Sequence, residues 1–115
     1  MRRVVVTGTG AITPIGLSVD EFWASVKAGK HGFAPISRFD TEQFKCKNAA
    51  EIKGFDAKNY MDAKTARRMA PFSQIAVAAA KEALEDSGLD MSKEDQFNVG
   101  TSIGSGVGSM QLMES

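Results

Sequence analysis

The chain has 115 residues, with 14 basic and 14 acidic side chains, a net charge of zero, 43% apolar residues and one cysteine. That size suits one domain with a modest core, and the charge balance excludes a wholesale nucleic-acid or membrane-surface binder. A lone Cys46 excludes a disulfide framework or thiolate metal site and suits a reducing, cytoplasmic setting; no apolar run reaches the length of a signal-peptide core or a membrane span.

Residues 3–9, RVVVTGT, read as a short buried strand, because the run is β-branched. A loop with Pro14 and two glycines follows, and Ser18 with Glu21 forms an S-x-x-E capping box that opens a helix. Val19, Trp23 with Phe22, and Val26 make its apolar side, and Gly29 ends it. The GTGAIT run lacks the third glycine of a dinucleotide fingerprint, Pro14 interrupts it, and the helix starts too late for such a site.

Residues 30–62 are rich in turn formers, with a short strand expected near 49–53. His31 has no second metal ligand nearby and reads as a loop residue. Cys46, between Lys45 and Lys47, has no local histidine partner and reads as structural or incidental. Charge is uneven here: residues 45–68 carry seven cations against three anions, a net of +4, while residues 81–95 carry two against six, a net of −4. A basic segment on a neutral chain suits a local acidic partner better than a long polyanion.

The longest periodic stretch runs from Asp62 to Gly88. Asp62 is placed to cap a short helical turn, and Pro71 either begins a long helix or kinks it after Ala70. Met69, Phe72, Ala76, Ala79, Ala80 and Ala83 share one helical face, with Gln74, Lys81 and Glu85 opposite and Gly88 as the stop. So many alanines read as an internal helix that another backbone approaches closely, although alanine is also simply the best helix former. In the first turn Lys64, Arg67 and Arg68 stand at i, i+3 and i+4 and project from one face. Crowded at a helix start they oppose its dipole. A turn that tolerates them is a candidate anion-binding surface; on spacing alone a solvated basic face is the first reading.

Residues 97–103, FNVGTSI, alternate as a strand, and their bare face, with Gly100 and Ser102, is expected against the alanine-rich helix. The glycine-rich run after it opens another helix. Gly100–Gly104 matches the G-x-S-x-G serine elbow, but no histidine follows Ser102; Gly104–Gly108 lacks the lysine of a P-loop. Val107 and Met110 are the apolar residues projecting from this run.

RRVVVTGTGAITPIG, RFDT at 38–41, AAEIKGFD at 49–56, KTARRM at 64–69 with its sequel ending in EDSG, and GTSIGSGVG at 100–108 occur together in this order. Together they resemble the start of a β-ketoacyl-acyl carrier protein synthase of the elongating type, the synthase II branch, across essentially the whole chain. The resemblance implies an α/β, thiolase-like layered α/β/α/β/α fold, of which residues 1–115 would be the opening part, cut before the catalytic residues. It implies a decarboxylating Claisen condensation in fatty acid biosynthesis, by an enzyme that is a cytoplasmic homodimer. Acyl carrier protein would be the partner and its phosphopantetheine the substrate carrier, without a separate cofactor, metal, nucleic acid or membrane. The family's nucleophilic cysteine and two histidines match no position here, so catalytic residues are expected beyond Ser115 and the piece alone is expected to be inert. Lys64, Arg67 and Arg68 match the family's carrier-protein-docking positions, and Val107 and Met110 match positions lining its acyl pocket. The alternatives are a polyketide ketosynthase or chain-length factor relative, and a non-enzymatic small domain that binds an acidic partner through the basic face. Alone, the piece is expected to expose apolar surface and associate.

Overall fold

The computed structural model describes residues 2–110. The chain divides into two compact units, Ala11–Phe55 and a unit that joins Met1–Gly10 to Asp56–Ser115.

In the first unit, helix α1 spans Val19–Lys27. Its capping box is as expected on one side: the Glu21 backbone N–H donates to Ser18 Oγ at 3.2 Å. The reciprocal bond shifts by one residue, since the Glu21 carboxylate accepts from the Leu17 N–H at 2.8 Å. The buried side of α1 differs from the expected one. Ser25 is its buried residue, while Trp23 and Val26 are exposed. The reason is a close approach: a Cβ on Gly16 would lie 2.7 Å from Glu21 C and Phe22 Cα, so loop backbone fills the space a large side chain would need. Strand β1, Phe33–Pro35, pairs antiparallel with β2, Asn48–Ala50, with Ala34 opposite Ala49. β1 lies in a stretch that reads as irregular, and β2 meets the 49–53 range expected for a strand only at Ala49 and Ala50, starting one residue earlier and ending three sooner. Ser37 fastens the end of the pair by donating its N–H and hydroxyl to the Glu51 carboxylate, at 3.2 and 2.6 Å.

In the second unit the chain runs through a 3-10 turn, Ala57–Asn59, helix α2, Ala63–Arg68, and helix α3, Pro71–Ser87. Pro71 begins α3 at its first helical position and does not kink it. Gly88, at φ 65°, closes α3 in the left-handed conformation.

α3 is covered on both sides, not on its alanine face alone. Its one fully buried residue is Ala78, which sits four residues from Gln74 and three from Lys81, on the polar side. Gln74 there is half-buried and Lys81 exposed, and both reach back to backbone carbonyls of preceding elements. The alanine stripe does receive the close approach its small residues imply, but from another segment. A Cβ on Gly10 would overlap the Ala79 carbonyl and lie 2.9 Å from Ala83 N; one on Gly8 would lie 2.5 Å from Ser87 N. Thr9, between them, donates its N–H to Asp86 at 2.8 Å.

Neither expected long strand forms. Residues 3–9 and 97–103 join no ladder among the described residues, and a strand without a partner leaves its N–H and C=O groups unpaired. Val4 is 92% exposed, and Gly100 and Ser102 are exposed, so they do not pack on the alanine-rich helix. At the start of the second run Asp95 competes locally: it accepts from Phe97 N at 3.1 Å and Asn98 Nδ2 at 2.7 Å, winding Gln96–Asn98 into a 3-10 turn. The helix expected after the glycine-rich run lies, beyond Met110, outside the described residues. The buried apolar set is small: among the described residues it is Ala57, Ala66 and Ala78.

The glycines separate into two kinds that a matched pair of variants distinguishes. Gly10→Ala forces side chain into backbone and is expected to destabilise the protein by about 1–3 kcal/mol. Gly100→Ala meets nothing within 4 Å and is expected to be near neutral. Thermal unfolding of both checks this, and equal midpoints would refute the close approach.

Candidate functional site

The candidate site is the exposed face of α2. A six-residue helix has too few internal bonds to stand by itself, so its ends must be satisfied from outside. At the N-terminus Asp62 is the cap, as its position implies: Oδ1 accepts from Lys64 N at 3.0 Å and Thr65 N at 2.9 Å. The Thr65 hydroxyl donates to Oδ2 at 2.5 Å. That hydroxyl bond, with the Thr65 N–H adding to it, holds the Asp62 carboxyl below the usual aspartate value. At the C-terminus the Gln74 side-chain amide donates to the Ala66 carbonyl at 2.7 Å and the Met69 carbonyl at 3.2 Å.

Ala66 is the buried residue of α2, and both α2 and α3 pack against the 3-10 turn. At about 100° per residue, Lys64 and Arg68 lie roughly 160° and Arg67 about 100° around the helix from Ala66. All three cations are therefore exposed on the outer side. Among the described residues none is ion-paired, the salt bridge found being Lys93 to Asp90 at 3.0 Å. The one carboxylate in the turn, Asp62, is committed to the cap and Thr65. Arg67 and Arg68 fall in the last turn of so short a helix, where cations complement the dipole. The expected clash with a positive helix end is thus corrected: the helix is too short for these two to lie at its start.

Val107 and Met110 lie on a separate segment of the same unit and are 68% and 58% exposed. Gly108 between them takes φ 78° and donates its N–H to Ser105 Oγ at 3.0 Å. His31 is exposed and lies beside Phe33, with ring centroids 6.3 Å apart. Cys46 is exposed and its thiol lies 3.4 Å from the Asn48 carbonyl. Gln74 is the residue that sequence reasoning missed, because it follows the polar period of α3. The available signal was the need of the last carbonyls of α2 for donors, which Gln74, six residues beyond Arg68, supplies.

The family model described as "Beta-ketoacyl synthase, N-terminal domain" matches residues 1–115. The chain therefore belongs to the β-ketoacyl synthase N-terminal domain family. It is 45% identical over 113 residues to the 3-oxoacyl-[acyl-carrier-protein] synthase 2 of Vibrio cholerae, an alignment covering 98% of this chain and 27% of the relative. To the proteins of the same name from Synechocystis and Staphylococcus aureus it is 40% and 42% identical over the same shares. Among solved structures it is similar to the ishigamide ketosynthase/chain length factor, with a TM-score of 0.72 and 42% identity over 79% of this chain and 23% of that one. A β-ketoacyl synthase from Burkholderia phymatum follows with 0.64 and 33%, over 81% of this chain and 23% of that one. These neighbours support a thiolase-like fold. The chain spans about a quarter, 27%, of the length of the curated relatives it matches.

The lowered pKa of Asp62 sets the sign of a pH test. A folded value below the unfolded one means the cap contributes fully above the ordinary aspartate range, and is lost as pH falls through the lowered value. The Lys64 and Thr65 amides are expected to lose exchange protection in that acid window, and Asp62→Ala is expected to remove it at neutral pH. Protection that survives Asp62→Ala would show that the cap is not what orders α2.

Proposed function

We propose that this chain is the opening part of a condensing enzyme that elongates acyl chains held on acyl carrier protein. In this reading an acyl group passes from its carrier thioester to a cysteine thiolate, and the carrier thiol leaves. Malonyl-carrier protein then loses carbon dioxide, and the carbanion so formed attacks the enzyme-bound thioester and releases the cysteine. The product is a 3-oxoacyl chain two carbons longer on the carrier. The cysteine and histidines of that chemistry match no position among these residues, so this segment contributes docking and part of the acyl channel.

The observation that carries the reading is the α2 face. Three exposed, unpaired cations stand on a helix whose own carboxylate is occupied, which suits an acidic helical partner and the phosphate of its phosphopantetheine arm. The relatives named for an acyl-carrier-protein synthase support that partner. In the same reading Val107 and Met110 line the acyl pocket. The layered α/β/α/β/α arrangement, built as a cytoplasmic homodimer, would cover the exposed Val4, Phe97 and Ile103. Among the described residues no helix is long and apolar enough to cross a membrane.

A second reading, a polyketide ketosynthase or chain-length factor, is favoured by the similarity to the ishigamide ketosynthase/chain length factor. Acyl transfer from carrier protein onto a cysteine of the complete protein separates the two condensing readings from a chain-length factor, which would take up no acyl group.

Charge reversal tests the docking face. Arg67→Glu with Arg68→Glu is expected to lower the apparent affinity for carrier protein by roughly ten-fold. The gap should narrow near 1 M salt, where the screening length is about 3 Å. Lys93→Glu, outside the face, is the control. For the pocket, Val107→Phe or Met110→Phe is expected to lower kcat/KM about ten-fold or more for the longest primers, and less for short ones, as read from product chain lengths.

A further inference from the structure

The link between α2 and α3 is two residues long and unsupported by any regular element. Met69 and Ala70 both take extended ψ values, 137° and 152°, and Ala70 supplies no side-chain cap to α3. Two adjacent extended residues form a pivot, and a helix of six residues on such a pivot has no orientation of its own. The Gln74 amide crosses this pivot. Its backbone N–H belongs to the first turn of α3, where it bonds the Ala70 carbonyl at 3.0 Å. Its side chain spends both hydrogens of one nitrogen on carbonyls from the other side of the break, Ala66 inside α2 and Met69 at its end. A nitrogen carrying two hydrogens is what faces two carbonyl oxygens here, so neither a carboxylate nor an apolar side chain of equal length reproduces the clamp. Ala66 is the residue immediately before Arg67, and its carbonyl direction fixes that of the following turn.

We infer that Gln74 is a positioning residue for carrier-protein docking: its amide locks the Met69–Ala70 pivot and thereby holds Arg67 and Arg68 in the orientation the partner meets. This rests on the docking role proposed for the α2 face and adds the element that orients it. Lys81 supports the same geometry one step further back. It donates to the Tyr60 carbonyl and ties the turn under α2 to α3. Two contacts from one helix therefore set the position of the basic face. One acts directly and the other acts through its support.

The test is a double-mutant cycle in the complete enzyme, with carrier-borne acyl and malonyl substrates. Gln74→Met keeps the length and removes the donors; Gln74→Asn keeps the amide and removes the reach. Both are expected to raise KM for the carrier-borne substrate about three- to ten-fold with kcat unchanged, and to leave KM unchanged when Arg67→Glu and Arg68→Glu are already present. A merely structural role would lower kcat and kcat/KM alike, or lower the amount of folded enzyme without the KM split. If the arginine reversals raise KM but the Gln74 variants do not, or add to them in full, the positioning role is overturned and docking through α2 stands. If the arginine reversals themselves leave KM unchanged, the docking reading fails and the positioning role fails with it.

Discussion

Contact between bare backbones at Gly8 and Gly10 is the constraint on which the larger unit depends. No side chain separates the N-terminal segment from α3 there, and the carbonyls of Ala79 and Ala83 lie where Cβ atoms would otherwise be. Such a contact has little apolar area to gain, so it needs polar fasteners, and Thr9 to Asp86 supplies one. With this side of α3 closed by backbone, its other side is left to receive the 3-10 turn and α2. Burial there is correspondingly tight around one alanine, Ala78, and uses long polar side chains to span the gaps.

The electrostatics of the basic face follow from the same economy of partners. A neutral chain has enough carboxylates to pair every cation, yet the acid next to the patch, Asp62, is taken up by two amides and a hydroxyl of its own helix. Capping the helix and exposing the cations are thus one arrangement. The dipole of a short helix adds to it, since Arg67 and Arg68 are close enough to its negative end to be favoured there.

Much of this was legible in the sequence where the determinant is local. Ser18, Asp62, Pro71 and Gly88 mark helix ends through bonds or dihedrals that involve their nearest neighbours, and each stands where those rules put it. The i, i+3, i+4 spacing of Lys64, Arg67 and Arg68 likewise fixes a shared face without knowledge of the fold. What was not legible is which neighbour each face meets. Periodicity assigned Gln74 and Lys81 to solvent because both are polar; Lys81 is indeed exposed, but Gln74 is half-buried, and the donors of both are taken by carbonyls in preceding elements. Small residues signalled a close approach to α3 correctly, but Gly100 and Gly8 are indistinguishable in sequence, and only the pairing of segments selects between them. The β-branched run at 3–9 carries strand propensity, which has no expression without a ladder partner.

The shortness of α2 also bears on the order in which the molecule is built. Isolated helices below about 12–15 residues are marginal in water, so six residues cannot hold this conformation before their partners arrive. During synthesis the chain emerges from its N-terminus, and Lys64–Arg68 leaves the ribosome ahead of Gln74 and Lys81. The basic segment therefore remains an irregular tether until α3 has formed behind it. Recognition of an acidic partner is by that order of events a late property of the folding chain, acquired only when the scaffold beneath it is complete.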